Sequence, residues 1–182
     1  VRGYGPATLT ATGALAVLAA SVQAHFVHTP ARQVGLYLAI WVTTATLALL
    51  IISIETVSRT LRMHSGLARQ MIHSAAEQFL PAILAGLLLT VVLARDAPQS
   101  LWMLPGLWQV VYSLGVFSSC KFLPRPMIAV GVWYLATGLM YLAVGRGEWA
   151  FSPWAMGVPY GVGQVLVAIV LQLSDQETDD KP

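Results

Sequence analysis

Charged residues are scarce in this sequence. Asp, Glu, Lys and Arg make up only 10% of the 182 residues, whereas a typical soluble domain carries about 25%. Hydrophobic residues make up 57%, and the mean hydropathy is +0.69. This composition excludes an ordinary soluble domain and predicts that lipid surrounds most of the chain.

Cysteine is almost absent, and so are the short motifs of common enzyme classes. The single cysteine, Cys120, excludes an intrachain disulfide framework. The sequence contains no Walker loop, dinucleotide fingerprint, zincin motif or c-type haem motif. Its basic residues are spread beside apolar segments rather than gathered in one patch, which argues against a nucleic-acid partner. We predict no catalytic residue and no cofactor, and an enzyme is the less favoured class.

Long apolar segments dominate the chain instead. A helix needs about 20 apolar residues to cross about 30 Å of hydrocarbon, and none of the segments alternates like a barrel strand. We therefore predict an all-α fold, a bundle of about six transmembrane helices that forms one domain over residues 1–174. The predicted spans are 7–26, 34–54, 79–94, 101–119, 126–144 and 154–173. An acidic, disordered tail is predicted over residues 175–182.

The distribution of positive charge predicts the orientation. If the N-terminus lies inside, the cytoplasmic residues are Arg2, Arg59, Arg62, Arg69, Lys121, Arg125 and Lys181, and the outer ones are Arg32, Arg95 and Arg146. This excess favours both termini in the cytoplasm, as is typical of a bacterial inner-membrane protein. Aromatic residues are expected at the outer interface at four positions, Trp102, Trp149, Phe151 and Trp154.

The first segment has two interpretations. It ends in Val22-Gln23-Ala24, which resembles a signal-peptidase site, so residues 1–26 could be a cleaved signal. We favour a retained span, because Arg2 is the only positive residue that precedes it.

The ionisable residues of greatest interest lie between the second and third spans. His64-Ser65-Gly66 is typical of a turn, so residues 55–78 are expected to project into the cytoplasm as an antiparallel helical hairpin. Pairing about this turn brings two carboxylates, a guanidinium and an imidazole together, namely Glu55, Glu77, Arg59 and His73. An ion-pair network is the favoured interpretation, and a divalent metal site or a proton carrier is the alternative.

Amides and prolines interrupt the spans themselves. Gln23, Gln109 and Gln164 lie well inside apolar segments, where the default role of an amide is hydrogen bonding between helices. Pro81, Pro105, Pro153 and Pro159 lie in spans or at their starts, where freed carbonyl groups favour kinks and close packing, or alternatively a ligand pocket. The candidate ligand-binding residues are Gln109, Gln164, Trp108 and Tyr160.

Three stretches carry a resemblance to a known family. They are Met63-His64-Ser65-Gly66-Leu67-Ala68, the segment from Leu104-Pro105-Gly106-Leu107-Trp108-Gln109 to Phe122-Leu123-Pro124-Arg125-Pro126, and Ala150-Phe151-Ser152-Pro153-Trp154-Ala155-Met156-Gly157. Over residues 55–172 the chain resembles a family of small, uncharacterised bacterial inner-membrane proteins. The family has no assigned activity. The resemblance implies a sensing or regulatory role, through neighbouring genes for winged-helix transcriptional regulators.

Three classes of function follow from these observations. The first is a non-enzymatic sensor or regulatory protein that binds a small or lipophilic ligand among spans three to six and presents the hairpin to a cytoplasmic partner. The second is a transporter or channel protomer that acts as a homo-oligomer, although the scarcity of charge inside the spans argues against ion-coupled transport. The third is a metal-binding or haem-binding membrane protein that uses His73 with Glu55 and Glu77.

Overall fold

The described part of the chain consists of helices joined by short connections and contains no strand. The structure is a computed structural model that describes residues 6–28, 32–62, 66–123, 125–145 and 147–179. The α-helices of these residues are α1 (Pro6–Phe26), α2 (Val34–Arg62), α3 (Gly66–Asp96), α4 (Leu104–Ser119), α5 (Met127–Val144) and α6 (Pro153–Asp179). Two short 3-10 helices, Pro98–Met103 and Gly147–Phe151, connect α3 to α4 and α5 to α6. The predicted all-α fold is confirmed for these residues.

Five segments of the described chain are long and apolar enough to cross a membrane. They are Val34–Ser58, His73–Asp96, Pro98–Ser119, Met127–Val144 and Pro153–Leu173. Each overlaps one of the predicted spans from the second to the sixth. The helix at the first predicted span, α1, is not among the five. The chain is therefore a helical bundle with several membrane-compatible helices, as a multi-pass membrane protein requires.

Each helix runs antiparallel to the helices beside it. The order of packing is α2, α1, α6, α5, α4 and α3, and the two ends of this series, α2 and α3, have few contacts with each other. Along the α1–α6 pair, Gly13 faces Gln164 and Ala20 faces Gly157. One end of the bundle carries both 3-10 helices, and we call it the connector end. At the other end, which we call the turn end, α2 and α4 end and α3 and α5 begin.

Helices α4 and α5 approach closely because glycines face each other. A Cβ atom added at Gly106 would lie 2.8 Å from the carbonyl oxygen of Gly138, and one added at Gly138 would lie 2.8 Å from the oxygen of Gly106. Neither position has room for a side chain. Close backbone contact of this kind is how small residues hold helices together in lipid, where the hydrophobic effect between helices is absent.

The apolar core has two parts. The first lies within α4, α5 and α6 and consists of Val116, Met127, Val130, Tyr134, Val167, Val170 and Leu171. The second joins α1 and α2 to the connector end and consists of Ala19, Ala20, Tyr37, Trp41, Leu101, Leu104, Phe151 and Met156. The buried residues described for α2 thus belong to the second part of the core.

Two regions differ from the sequence expectations. Phe151 was expected at the membrane interface with Trp149, yet it is 5% exposed while Trp149 is 81% exposed. The 3-10 helix turns every three residues, so these two side chains point in different directions, and Phe151 packs edge-on against Tyr37. At the C-terminus α6 continues to Asp179, so residues 175–179 are helical where a disordered tail was predicted. Extending an existing helix is far easier than starting one. Residues 180–182 lie outside the described residues.

Candidate functional site

A shallow groove runs between α1 and α2. Its volume is about 400 Å³, it opens sideways on the surface of the bundle, and its walls are almost wholly apolar. The lining residues are Leu15, Ala19, Val22, Ala39, Ile40, Thr43 and Thr44. Small side chains such as Ala19 and Ala39 create the space. The Thr44 hydroxyl donates to the Ile40 carbonyl oxygen at 2.7 Å, so it presents little polarity to the groove.

A buried polar contact joins α1 and α2 beside this groove. The indole Nε1 of Trp41 donates to Gln23 Oε1 at 2.7 Å, and Gln23 Nε2 donates to the carbonyl oxygen of Phe151 at 2.5 Å. Gln23 is fully buried. Its neighbour Val22 and the neighbour of Trp41, Ile40, both line the groove. The amide of Gln23 therefore ties α1, α2 and the connector end together at the edge of the groove.

The buried side chains described for α2 lie near one end of the helix. Its buried side chains are Tyr37 and Trp41, and among the described side chains of residues 42–58 none is buried. The helix continues to Arg62, past the end of its membrane-compatible segment at Ser58. The described side chains of α2 from residue 42 to residue 58 are therefore half-buried or exposed.

Gln109, a predicted ligand-binding residue, holds two helices together. The side chain is fully buried, and its Nε2 donates to the carbonyl oxygens of Pro105 at 3.1 Å and Ala155 at 2.9 Å. The oxygen of Ala155 would normally bond to the backbone N–H four residues later, but that residue is Pro159, which has none. Gln109 thus supplies the hydrogen bond that Pro159 removes from α6. This geometry matches the packing role predicted for the amides.

Helix α3, which like α6 has a proline in its interior, is tied to α4 by two serine hydroxyl groups. Pro81 lies inside α3. Near it, the carbonyl oxygen of Gln78 accepts a hydrogen bond from Ser118 Oγ at 2.9 Å, and that of Ala75 accepts one from Ser119 Oγ at 3.2 Å. Side chains of α4 therefore donate hydrogen bonds to the backbones of α3 and α6, the two helices that have a proline in their interior.

The remaining predicted ligand-binding residues lie at other helix interfaces. Trp108 Nε1 donates to Thr90 Oγ1 on α3 at 2.8 Å, whereas half-buried Gln164 faces Gly13 on α1. Tyr160 lies within a tyrosine cluster inside the bundle. The structure does not gather these side chains into one pocket with Gln109, and their role in ligand binding stays a prediction.

The tyrosine cluster was missed by the sequence analysis. Ring centroids of Tyr112 and Tyr134 are 4.6 Å apart, those of Tyr134 and Tyr160 are 5.2 Å apart, and Phe79 packs against Tyr112 at 5.2 Å. The side chains come from four different helices, so no spacing along one helix could have indicated the cluster. The groove was missed for the same reason, since its walls belong to two helices.

The predicted cluster of charged residues lies on α2 and α3 towards the turn end. Glu55 is half-buried, His73 and Glu77 are exposed, and the side chain of Arg59 lies outside the described residues. Within the described part of the chain, no group of three or more His, Cys, Asp and Glu side chains could hold a metal ion. Coupling between Glu55 and Glu77 stays a prediction.

Comparisons with known proteins give this chain no relative: no family model, no curated protein and no solved structure matches it. The resemblance to small bacterial inner-membrane proteins therefore stays a prediction. The groove and the Gln23 contact beside it form the candidate functional site.

Proposed function

We propose that this chain is a non-enzymatic sensor of the bacterial inner membrane that binds a lipophilic molecule in the groove between α1 and α2. In this proposal the groove replaces the interior of spans three to six as the binding site. Helix α2 carries the response towards a regulatory partner in the cytoplasm.

The proposal includes six spans with both termini in the cytoplasm. Helix α1 contains no Asp, Glu, Lys or Arg and packs antiparallel along α6, with Gly13 level with Gln164 and Ala20 level with Gly157. Because these contacts lie along the membrane-compatible part of α6, α1 would share its depth in the bilayer. The turn end is then cytoplasmic, in agreement with the distribution of Lys and Arg.

The groove is the observation that carries the functional proposal. Its volume of about 400 Å³ falls in the range of small-molecule sites, roughly 300 to 1,000 Å³. It opens sideways at the depth of the spans, so the molecules that reach it are those dissolved in the bilayer. Apolar walls without a charged residue suit an alkyl chain or a similar lipophilic group.

Packing inside the bundle supports binding over transport. Glycine contacts close the α4–α5 interface, and aromatic rings fill the space among α4, α5 and α6. A transporter protomer would use a path through this region. The described side chains favour a site on the lipid-facing side of the bundle instead.

A heavy-atom quencher tests the proposal. We expect 1-bromododecane to quench the tryptophan fluorescence of the protein in phosphatidylcholine nanodiscs with a saturable component, because Trp41 adjoins the groove. Ala39→Leu, which fills the groove, should weaken that component at least about 10-fold, equivalent to about 1.4 kcal/mol of binding free energy. Ala45→Leu is the matched control, since Ala45 is exposed on the same helix outside the lining. Quenching that rises without saturation, or equally in both variants, would contradict the proposal.

A further inference from the structure

The hydrogen bonds of Gln23 lie where a bound molecule would act on them. Trp41 and Gln23 lie on the two helices that form the opposite walls of the groove, and each directly follows a lining residue, Ile40 and Val22. A molecule that separates these walls also separates the indole from the amide. Since hydrogen bonds weaken steeply when their distance and angle depart from the optimum, a small separation suffices.

The position of this contact on α2 also favours movement at the far end. Beyond Trp41 no described side chain of α2 is buried as far as residue 58, and α2 has few contacts with α3. From Trp41 to Arg62 the helix extends about 32 Å at about 1.5 Å per residue. A tilt of about 5° at Trp41 would move the other end of such a helix by about 3 Å.

We propose that the Trp41–Gln23–Phe151 contact is a latch: it holds α2 against α1 while the groove is empty and opens when a lipophilic molecule enters, so that the cytoplasmic end of α2 is displaced. This inference rests on the proposed function and adds the step that converts binding into a signal. The Gln23 side chain of the latch is fully buried, and both its amide oxygen and its amide nitrogen form hydrogen bonds. The closed and open states of the latch therefore differ in a specific hydrogen bond rather than in general packing.

Spin labels provide the test. The only cysteine of the chain, Cys120, directly follows α4 at the turn end and serves as the fixed label position. Ser58→Cys places the second label on the exposed face of α2 near the same end. The distance between the two nitroxides is measured by electron paramagnetic resonance in phosphatidylcholine nanodiscs, with and without 1-bromododecane.

The expected result is a distance distribution that shifts by about 3 Å when 1-bromododecane saturates the quenching signal, in keeping with the tilt calculated from the helix rise. Gln23→Leu should show the shifted population without the probe. Trp41→Phe keeps an aromatic side chain while it removes the N–H donor together with part of the indole, and it should show the same shifted population. Gln172→Leu, which removes an exposed amide from α6, is the control and should behave like the parent.

The outcomes separate the two proposals. Saturable quenching with an unchanged distance would overturn the latch while leaving the binding site in place. Absence of saturable quenching would overturn both. An unshifted distance between the nitroxides in folded Gln23→Leu and Trp41→Phe proteins would also overturn the latch, because the hydrogen bond would then not determine the position of α2.

Discussion

The α4–α5–α6 block and helix α2 show opposite relations between hydropathy and burial. Within the Val34–Ser58 segment of α2, a stretch of 18 residues has a mean hydropathy of 2.1 and 11% of these residues are buried. The corresponding 18 residues of the Pro98–Ser119 segment have a mean hydropathy of 1.2 and 44% of them are buried. In a water-soluble protein the more apolar segment would be the more buried one. In lipid the most apolar faces point outward, and glycines, amides and hydroxyl groups hold the helices together. The block is therefore held together by glycines and amides, and α2 has neither between Trp41 and its end at Arg62.

The largest effect we expect comes from adding one methyl group inside the block. Gly138→Ala would put a Cβ atom 2.8 Å from the carbonyl oxygen of Gly106 and 2.9 Å from Val110 Cγ2, so α4 and α5 must move apart. We expect a loss of about 3 kcal/mol in the free energy of unfolding, the upper range for overpacking. Unfolding in mixed detergent micelles measures it.

Gly35→Ala in α2 is the matched control for this comparison. A Cβ atom at Gly35 would have no neighbour within 4 Å, so the change should stabilise the protein slightly, by up to about 1 kcal/mol from helix propensity alone. Equal destabilisation by Gly35→Ala and Gly138→Ala would mean that α2 is as tightly packed as the block, and the comparison would fail.

The second prediction concerns the hydrogen bond that joins α4 to α6. Gln109→Leu leaves the carbonyl oxygen of Ala155 without its donor, and we expect a loss of about 1 to 2 kcal/mol for an unsatisfied buried group. In a Pro159→Ala background the restored N–H can serve that oxygen, so the same substitution should cost about 0.5 kcal/mol or less. Unfolding of the four proteins of this double-mutant cycle measures the difference. Equal losses in both backgrounds would show that Gln109 does not compensate for Pro159.

Gln109 and Pro159 also illustrate which features of the fold can be predicted from the sequence. A packing role for Gln109 and a freed carbonyl in each proline-containing helix were both predictable, because each is a local property of one helix. The match between Gln109 and the carbonyl that Pro159 frees was not predictable, because it depends on how α4 and α6 pair. Apolar length likewise predicted the second to sixth membrane-compatible helices.

The candidate site was less predictable than the spans. The groove needs Ala19 and Ala39 on facing helices, and the latch needs Gln23 level with both Trp41 and Phe151. Gln23 was singled out as an amide inside a span, and Phe151 as an interfacial ring. Only the antiparallel packing of α1 between α2 and α6 brings them together, and no periodicity within one helix encodes that arrangement.

The smallest effect we expect is at the edge of the block, where Cys120 follows α4. Its side chain is half-buried, and burial raises the pKa of the thiol above its usual value. Because only the thiolate reacts with maleimides, a raised pKa keeps the unreactive thiol dominant to higher pH. At pH 7.5 we therefore expect Cys120 in the folded protein to react several-fold more slowly than in a peptide of residues 116–124. The gap should narrow as the pH rises through the raised pKa, and stopped-flow labelling measures both rates. Equal rates at pH 7.5 would mean that this edge of the block is as accessible as the exposed residues Val57 and Ser58 of α2.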